Sequence, residues 1–117
     1  MSDLNDSRKL CRKQELSAVE NPPGIHRTTM AYNDETMLCH FIMKRGAEIP
    51  LHNHDAVQNG YVISGKIQFR NSEGDAFIAE AGTGYAFGSN ERHGALVLED
   101  AEVIECFAPM RGEYADS

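Results

Sequence analysis

Residues 46–58 read Gly46-Ala47-Glu48-Ile49-Pro50-Leu51-His52-Asn53-His54-Asp55-Ala56-Val57-Gln58. Two histidines stand one residue apart in this stretch, and an amide follows four residues later. Because residues i and i+2 of a β-strand point to the same face, the spacing predicts that His52 and His54 enter one shared space. Neutral imidazoles and an amide oxygen are accepted ligands of zinc and related cations. The stretch therefore predicts a β-structure built around a divalent metal ion.

A second stretch, residues 82–93, supplies a third histidine. It reads Gly82-Thr83-Gly84-Tyr85-Ala86-Phe87-Gly88-Ser89-Asn90-Glu91-Arg92-His93, so glycines and turn residues again precede a histidine. A His-x-His tripeptide alone is a frequent chance pairing on a protein surface. Taken together, the two stretches make His52, His54, Gln58 and His93 the candidate ligands of one metal ion.

Short apolar runs that alternate with turn residues predict an all-β fold. The predicted strands cover residues 28–32, 36–44, 59–63, 66–70, 76–79, 84–87, 94–98 and 102–108. Ser64-Gly65 is predicted to be a two-residue hairpin, because its glycine can adopt a positive φ. The alternation in the second run places Cys39 and His40 on opposite faces, so His40 is not expected to be a ligand. The same expectation holds for His26, beside the N-terminal arm.

Length and composition restrict the function classes. A chain of 117 residues supports one domain, which we assign to residues 21–117, preceded by a polar arm over residues 1–20. A net charge of -7 argues against binding nucleic acid, since phosphate backbones require clustered Lys and Arg. No apolar stretch approaches the roughly 18 residues of a membrane span. Three cysteines without paired spacing are typical of free thiols, so a cytoplasmic protein is expected.

Together, the two histidine-bearing stretches resemble the two sequence motifs of the cupin family. The resemblance implies a single cupin jelly-roll β-barrel, a fold that can enclose one small ligand. Three positions depart from the usual motifs. Gln58 stands where most cupins have Glu, Gly88 where Pro is usual, and Val97 where Asn often ends the second motif. Only the first of these departures falls on a metal ligand.

Over residues 23–114 the chain resembles the small single-domain cupins of the pectin-degradation type. That resemblance implies a His, His, Gln and His ligand set, and an activity that opens 4,5-unsaturated uronates to linear keto acids. An Asp, a Phe and an Arg that are important for activity in that type match Glu105, Phe107 and Arg111. Glu105 departs from the pattern by one additional methylene.

In the last predicted strand, Glu105 and Phe107 share a face, which makes Glu105 a buried carboxylate if that face is internal. The functional interpretation makes Glu105 a general acid and base, Phe107 a wall for a sugar ring, and Arg111 a clamp for a substrate carboxylate. The alternative is that Glu105 and Arg111 simply pair with each other at the barrel mouth. From the residues alone, the two interpretations are equally supported.

The metal and the reaction stay open at this point. Zinc, nickel, manganese and iron all suit the ligand set. A cupin dioxygenase and a non-catalytic, metal-containing sugar-binding or sensing module are alternative functions, because one fold hosts many activities. In each case the expected partner is a small molecule, an anionic sugar in the favoured interpretation. The N-terminal arm and the resemblance to small cupins also suggest a homodimer.

Overall fold

The computed structural model describes residues 7–115, and its regular structure is almost entirely β. The strands are β1 (Val19–Glu20), β2 (Ile25–Tyr32), β3 (Met37–Met43), β4 (Glu48–His52), β5 (Val57–Asn71), β6 (Ala76–Glu80), β7 (Gly84–Phe87) and β8 (His93–Ala108). A short 3-10 turn covers Lys13–Glu15, and one helical turn, α1 (Gly112–Ala115), follows the last strand. No helix in this part of the chain is long and apolar enough to cross a membrane.

All strand pairs are antiparallel, and β8 lies at the centre of the sheet. The strand order is β1-β2-β3-β8-β5-β6, with β4 paired to β8 and β7 paired to β5. The two longest strands, β5 and β8, each pair with different neighbours along their two halves, which curves the sheet into a barrel. The predicted all-β jelly-roll barrel is confirmed.

The predicted hairpin at Ser64-Gly65 is wrong. Two pairs of predicted strands are instead single long strands, because β5 runs through Ser64-Gly65 and β8 runs through residues 99–101. The ladder between β5 and β8 shifts register around Ser64, as it does at a β-bulge. Gly65 has the expected positive φ of 91°, but this conformation bends a continuous strand rather than reversing the chain.

Replacing Gly65 by Ala is expected to lower the free energy of unfolding by about 2 kcal/mol. A side chain is unfavourable at this φ, and its Cβ would lie 2.5 Å from the backbone Cα of Ala101. Gly74→Ala is the matched control, since Gly74 has a φ of 88° but open space around its Cα. Urea unfolding of both variants separates the two effects. If Gly65→Ala and Gly74→Ala lowered the free energy of unfolding equally, the close packing at Gly65 would add nothing to the cost of a side chain at a positive φ.

The barrel interior is lined by alternate residues of the strands. In β3, Met37, Cys39, Phe41 and Met43 are buried. His40 lies on the opposite face of the strand, as predicted, and its Nε2 lies 2.6 Å from Glu102 Oε2. Cys11, Cys39 and Cys106 are free thiols, as the cysteine spacing predicts. Burial raises the pKa of the Cys39 thiol to about 11, so this group stays protonated at neutral pH.

The described part of the N-terminal arm contacts the barrel of its own chain. Arg8 forms an isolated β-bridge with Tyr32, and β1 pairs with β2. Residues 1–6 of the predicted arm lie outside the described residues. The division of the chain at residue 20 stays a prediction, as does the homodimer.

Candidate metal centre and pocket

Three histidines come together where β4 ends and β8 begins. His52 closes β4 and pairs in register with His93, the first residue of β8. His54 lies beyond the end of β4. It is therefore positioned by the loop that follows His52, and not by the strand alternation that the sequence predicted. The ring centroids of the three histidines are 4.4–5.4 Å apart, and one ligand atom from each lies within 4.8 Å of the others.

Backbone carbonyls orient all three imidazoles. The Nδ1 atoms of His52, His54 and His93 lie 3.0, 2.7 and 2.8 Å from the carbonyl oxygens of Pro50, Ala56 and Glu91. These contacts favour the tautomer in which Nδ1 carries the proton, so each Nε2 presents a lone pair. Histidine ligands of metal ions are commonly fixed in this way.

Burial favours the neutral imidazole, which is the form that binds metal. His93 stacks on Phe87, with the ring centroids 4.2 Å apart and the planes 3° from parallel. Burial lowers the pKa of His93 to about 4 and also lowers the pKa of His54. The Nε2 of His93 is fully buried and has no hydrogen-bond partner among the described residues. A buried polar atom without a partner is costly, and a metal ion would satisfy it.

Gln58 completes the candidate ligand set from β5. Its Nε2 donates to Glu105 Oε2 at 2.9 Å, so its Oε1 faces His54 Nε2 at 3.0 Å. With the His54 proton on Nδ1, these facing atoms both present lone pairs and would repel each other. A shared cation would attract both atoms. The residues present therefore fit a divalent metal ion, with His52, His54, Gln58 and His93 as its ligands.

Glu105 lies inside the barrel, with only 5% of its surface exposed. Its Oε2 accepts hydrogen bonds from Gln58 and from the Tyr85 hydroxyl. Burial raises the pKa of Glu105, and the two hydrogen bonds partly oppose that rise. Burial raises the pKa of Tyr85, and the Glu105 carboxylate raises it further. Nothing in the sequence pattern indicated the contact between Tyr85 and Glu105.

Phe107 and Arg111 lie near this carboxylate, but Glu105 and Arg111 do not form the ion pair of the alternative interpretation. Arg111 Nη2 instead lies 2.8 Å from the carboxylate of Glu113. The guanidinium lies over the rings of Phe107 and Tyr114, 5.3 and 4.3 Å from their centroids. It also donates to the Tyr114 hydroxyl at 3.0 Å. Tyr114 was missed at the sequence level, because it contacts the site from α1, beyond the last strand.

One cavity of about 70 Å³ is lined by these groups. Its polar lining consists mainly of His52, His93, Gln58, Glu105 and Arg111, and Phe107 and Tyr114 supply aromatic walls. His54 belongs to the histidine cluster but not to the cavity lining. His26 and His40 are outside both groups, as expected from the sequence.

The sequence matches the model of the cupin domain family over residues 39–107, which span the described barrel from β3 to β8. The chain belongs to the cupin family. This cupin has a cluster of three histidines that can hold a metal ion.

Two relatives share more than the general fold. The chain is 32% identical over 93 residues to the pectin degradation protein KdgF of Dickeya dadantii, covering 78% of this chain and 84% of that protein. The structure of KdgF from a Halomonas species superposes with a TM-score of 0.81 at 28% identity, covering 90% of this chain and 98% of that one. The resemblance to cupins of the pectin-degradation type is thereby confirmed.

A third comparison concerns the fold alone. An RmlC-like cupin from Shewanella frigidimarina superposes with a TM-score of 0.86 at 22% identity, covering 93% of this chain and 98% of that chain. This cupin barrel therefore recurs at low sequence identity. Its chemistry must be argued from the side chains that line the cavity.

Proposed function

We propose that this cupin is a metal-dependent enzyme that opens 4,5-unsaturated uronates to linear keto acids without a redox change. One observation carries the proposal: a buried carboxylate, Glu105, shares a small cavity with the histidine cluster and with Arg111. The similarity to two KdgF proteins, one of them named for pectin degradation, supports a sugar acid as the substrate.

Each cavity residue has a role in this proposal. Arg111 binds the substrate carboxylate, for which its planar guanidinium is suited, and the exposed carboxylate of Glu113 balances its charge until substrate arrives. Phe107 and Tyr114 form apolar surfaces against which the sugar ring packs. A divalent ion held by His52, His54, Gln58 and His93 would supply Lewis-acid polarisation of a substrate oxygen.

The proposed reaction is an isomerisation that needs only proton transfers. The anomeric hydroxyl loses a proton, and the bond between the anomeric carbon and the ring oxygen breaks, which leaves an aldehyde and an enol. A proton then adds to the far carbon of the former ring double bond, and the enol becomes a ketone. In this proposal Glu105, which lines the cavity, accepts and returns these protons. No oxidant is consumed, and no water enters the product.

The test is turnover of a purified 4,5-unsaturated monouronate by protein prepared without chelators. Loss of the conjugated double bond is followed by ultraviolet absorbance, and formation of the aldehyde by NMR. We expect wild-type turnover, and for Arg111→Ala a fall in kcat/KM of about 100-fold, since a charged hydrogen bond to substrate is lost. Arg45→Ala is the matched control, because Arg45 is exposed and away from the cavity.

The outcomes separate the candidate functions. Turnover that needs metal and Arg111 supports the uronate-opening enzyme. Oxygen consumption with this substrate would support a dioxygenase instead. Metal binding with neither reaction would overturn the proposed activity and favour a binding or sensing module.

A further inference from the structure

Three residues on neighbouring strands form a row across the barrel wall. Gly60 of β5 pairs in register with Tyr85 of β7 on one side and with Glu105 of β8 on the other. Because Gly60 has no side chain, the Tyr85 hydroxyl crosses above it and donates to Glu105 Oε2. A Cβ at Gly60 would lie 2.8 Å from Tyr85 Cε2, and closer still to its hydroxyl end. The contact between Tyr85 and Glu105 therefore requires a glycine at position 60.

The two oxygens of Glu105 have different surroundings. Oε2 accepts hydrogen bonds from the Tyr85 hydroxyl and from the Gln58 amide. No donor among the described residues contacts Oε1, and Glu105 lines the cavity. Tyr85 thus fixes one oxygen of the carboxylate in the barrel wall.

The fixed oxygen also determines which end of the Gln58 amide faces the histidines. Glu105 Oε2 accepts a hydrogen bond, so it selects the amide nitrogen of Gln58 and turns the amide oxygen toward His54. Only the oxygen of an amide is a useful metal ligand. We propose that Tyr85 is a positioning residue that acts through Glu105 on the Gln58 amide and thereby raises the affinity of the site for its metal ion. This inference rests on the proposed metal site, but not on the uronate reaction.

Tyr85 could also affect metal affinity through ring packing alone, without acting on Gln58. The Tyr85 ring packs against Phe69 and Phe87, with centroid distances of 4.5 and 5.9 Å. Phe87 in turn stacks on His93. Disturbing this packing would affect His93 whether or not Gln58 is present. The two routes can therefore be separated by removing Gln58.

The experiment measures Zn²⁺ affinity by competition with a chromophoric chelator at constant pH. We expect Tyr85→Phe, which removes only the hydroxyl, to weaken binding about tenfold, the lower end of the effect of outer-shell partners. Gly60→Ala should weaken binding at least as much, because it displaces the same hydroxyl. In a Gln58→Ala background, Tyr85→Phe should change the affinity less than twofold, since the residue through which it acts is gone. Tyr61→Phe, at an exposed position of β5, is the control.

Each result has one meaning. A loss that appears only when Gln58 is present supports the inference. Unchanged affinity in Tyr85→Phe overturns it, and so does an equal loss in both backgrounds, which would assign the effect to packing against Phe87. Failure of the wild-type protein to bind Zn²⁺ in the same assay would instead overturn the metal site on which the proposed function rests.

Discussion

Glu105→Gln is expected to lower kcat for uronate ring opening by about 10²–10⁴-fold while the protein stays folded and retains its metal ion. The substitution preserves the shape of the side chain. The new amide oxygen can still accept hydrogen bonds from Tyr85 and Gln58, the two donors that contact Oε2. An amide, however, cannot take up and return a proton. The variant therefore removes the proposed proton transfer and leaves the hydrogen bonds around it intact.

Glu102→Gln is the matched control for this prediction. Glu102 lies on the same strand, but its carboxylate contacts His40 on the other face of the barrel wall. Steady-state kinetics and metal content should be measured on both variants. Full activity in Glu105→Gln with bound metal would exclude Glu105 as the proton-transferring group and leave the ring opening to the metal ion and Arg111.

Sequence patterns predicted the strands well where the side chains alternate between a buried and an exposed face. The phase of β3 was correct for Cys39 and His40, and the face of β8 that Glu105 shares with Phe107 is the internal one. Both results follow from local alternation, which depends only on the pleat of one strand. Gln58 was singled out by its position four residues after His54, and the family resemblance supported it as a ligand.

Features that depend on pairing between distant strands were not predictable in the same way. Ser64-Gly65 has the composition of a hairpin, and only its packing against Ala101 of β8 makes it a bend within one strand. The contact between Tyr85 and Glu105 likewise depends on the glycine of a third strand. Periodicity within one segment carries no information about which residue will stand opposite another.

The candidate metal site illustrates how a few backbone contacts can orient several side chains at once. Each histidine Nδ1 contacts a carbonyl within two residues of itself in the sequence, so each ring is oriented by its own chain segment. The Gln58 amide, in contrast, is oriented by Glu105 from another strand. Local contacts thus fix three candidate ligands, while the fourth depends on the carboxylate that we assign to catalysis. In the function we propose, metal binding and proton transfer are linked through that one side chain.

Metal-free protein is expected to lose stability as the pH falls from 7 to 4, and His93 should account for much of that loss. In the folded protein, burial lowers the pKa of His93 from 6.5 to about 4. Between these values the unfolded chain binds a proton that the folded chain does not, so the free energy of unfolding decreases as the pH falls. The full difference corresponds to at most about 3 kcal/mol. The lowered pKa of His54 acts in the same direction, and the raised pKa of Glu105 acts in the opposite direction.

Urea unfolding of chelator-treated protein at several pH values tests this prediction, with His93→Gln and His26→Gln compared side by side. His93→Gln should flatten the dependence between pH 6.5 and 4, because the group that titrates differently in the two states is gone. His26→Gln is the matched control, because His26 lies near Glu20 and away from the cavity. An unchanged slope in His93→Gln would show that His93 is protonated as easily in the folded barrel as in water. That result would contradict the neutral, metal-ready imidazole on which the proposed ligand set depends.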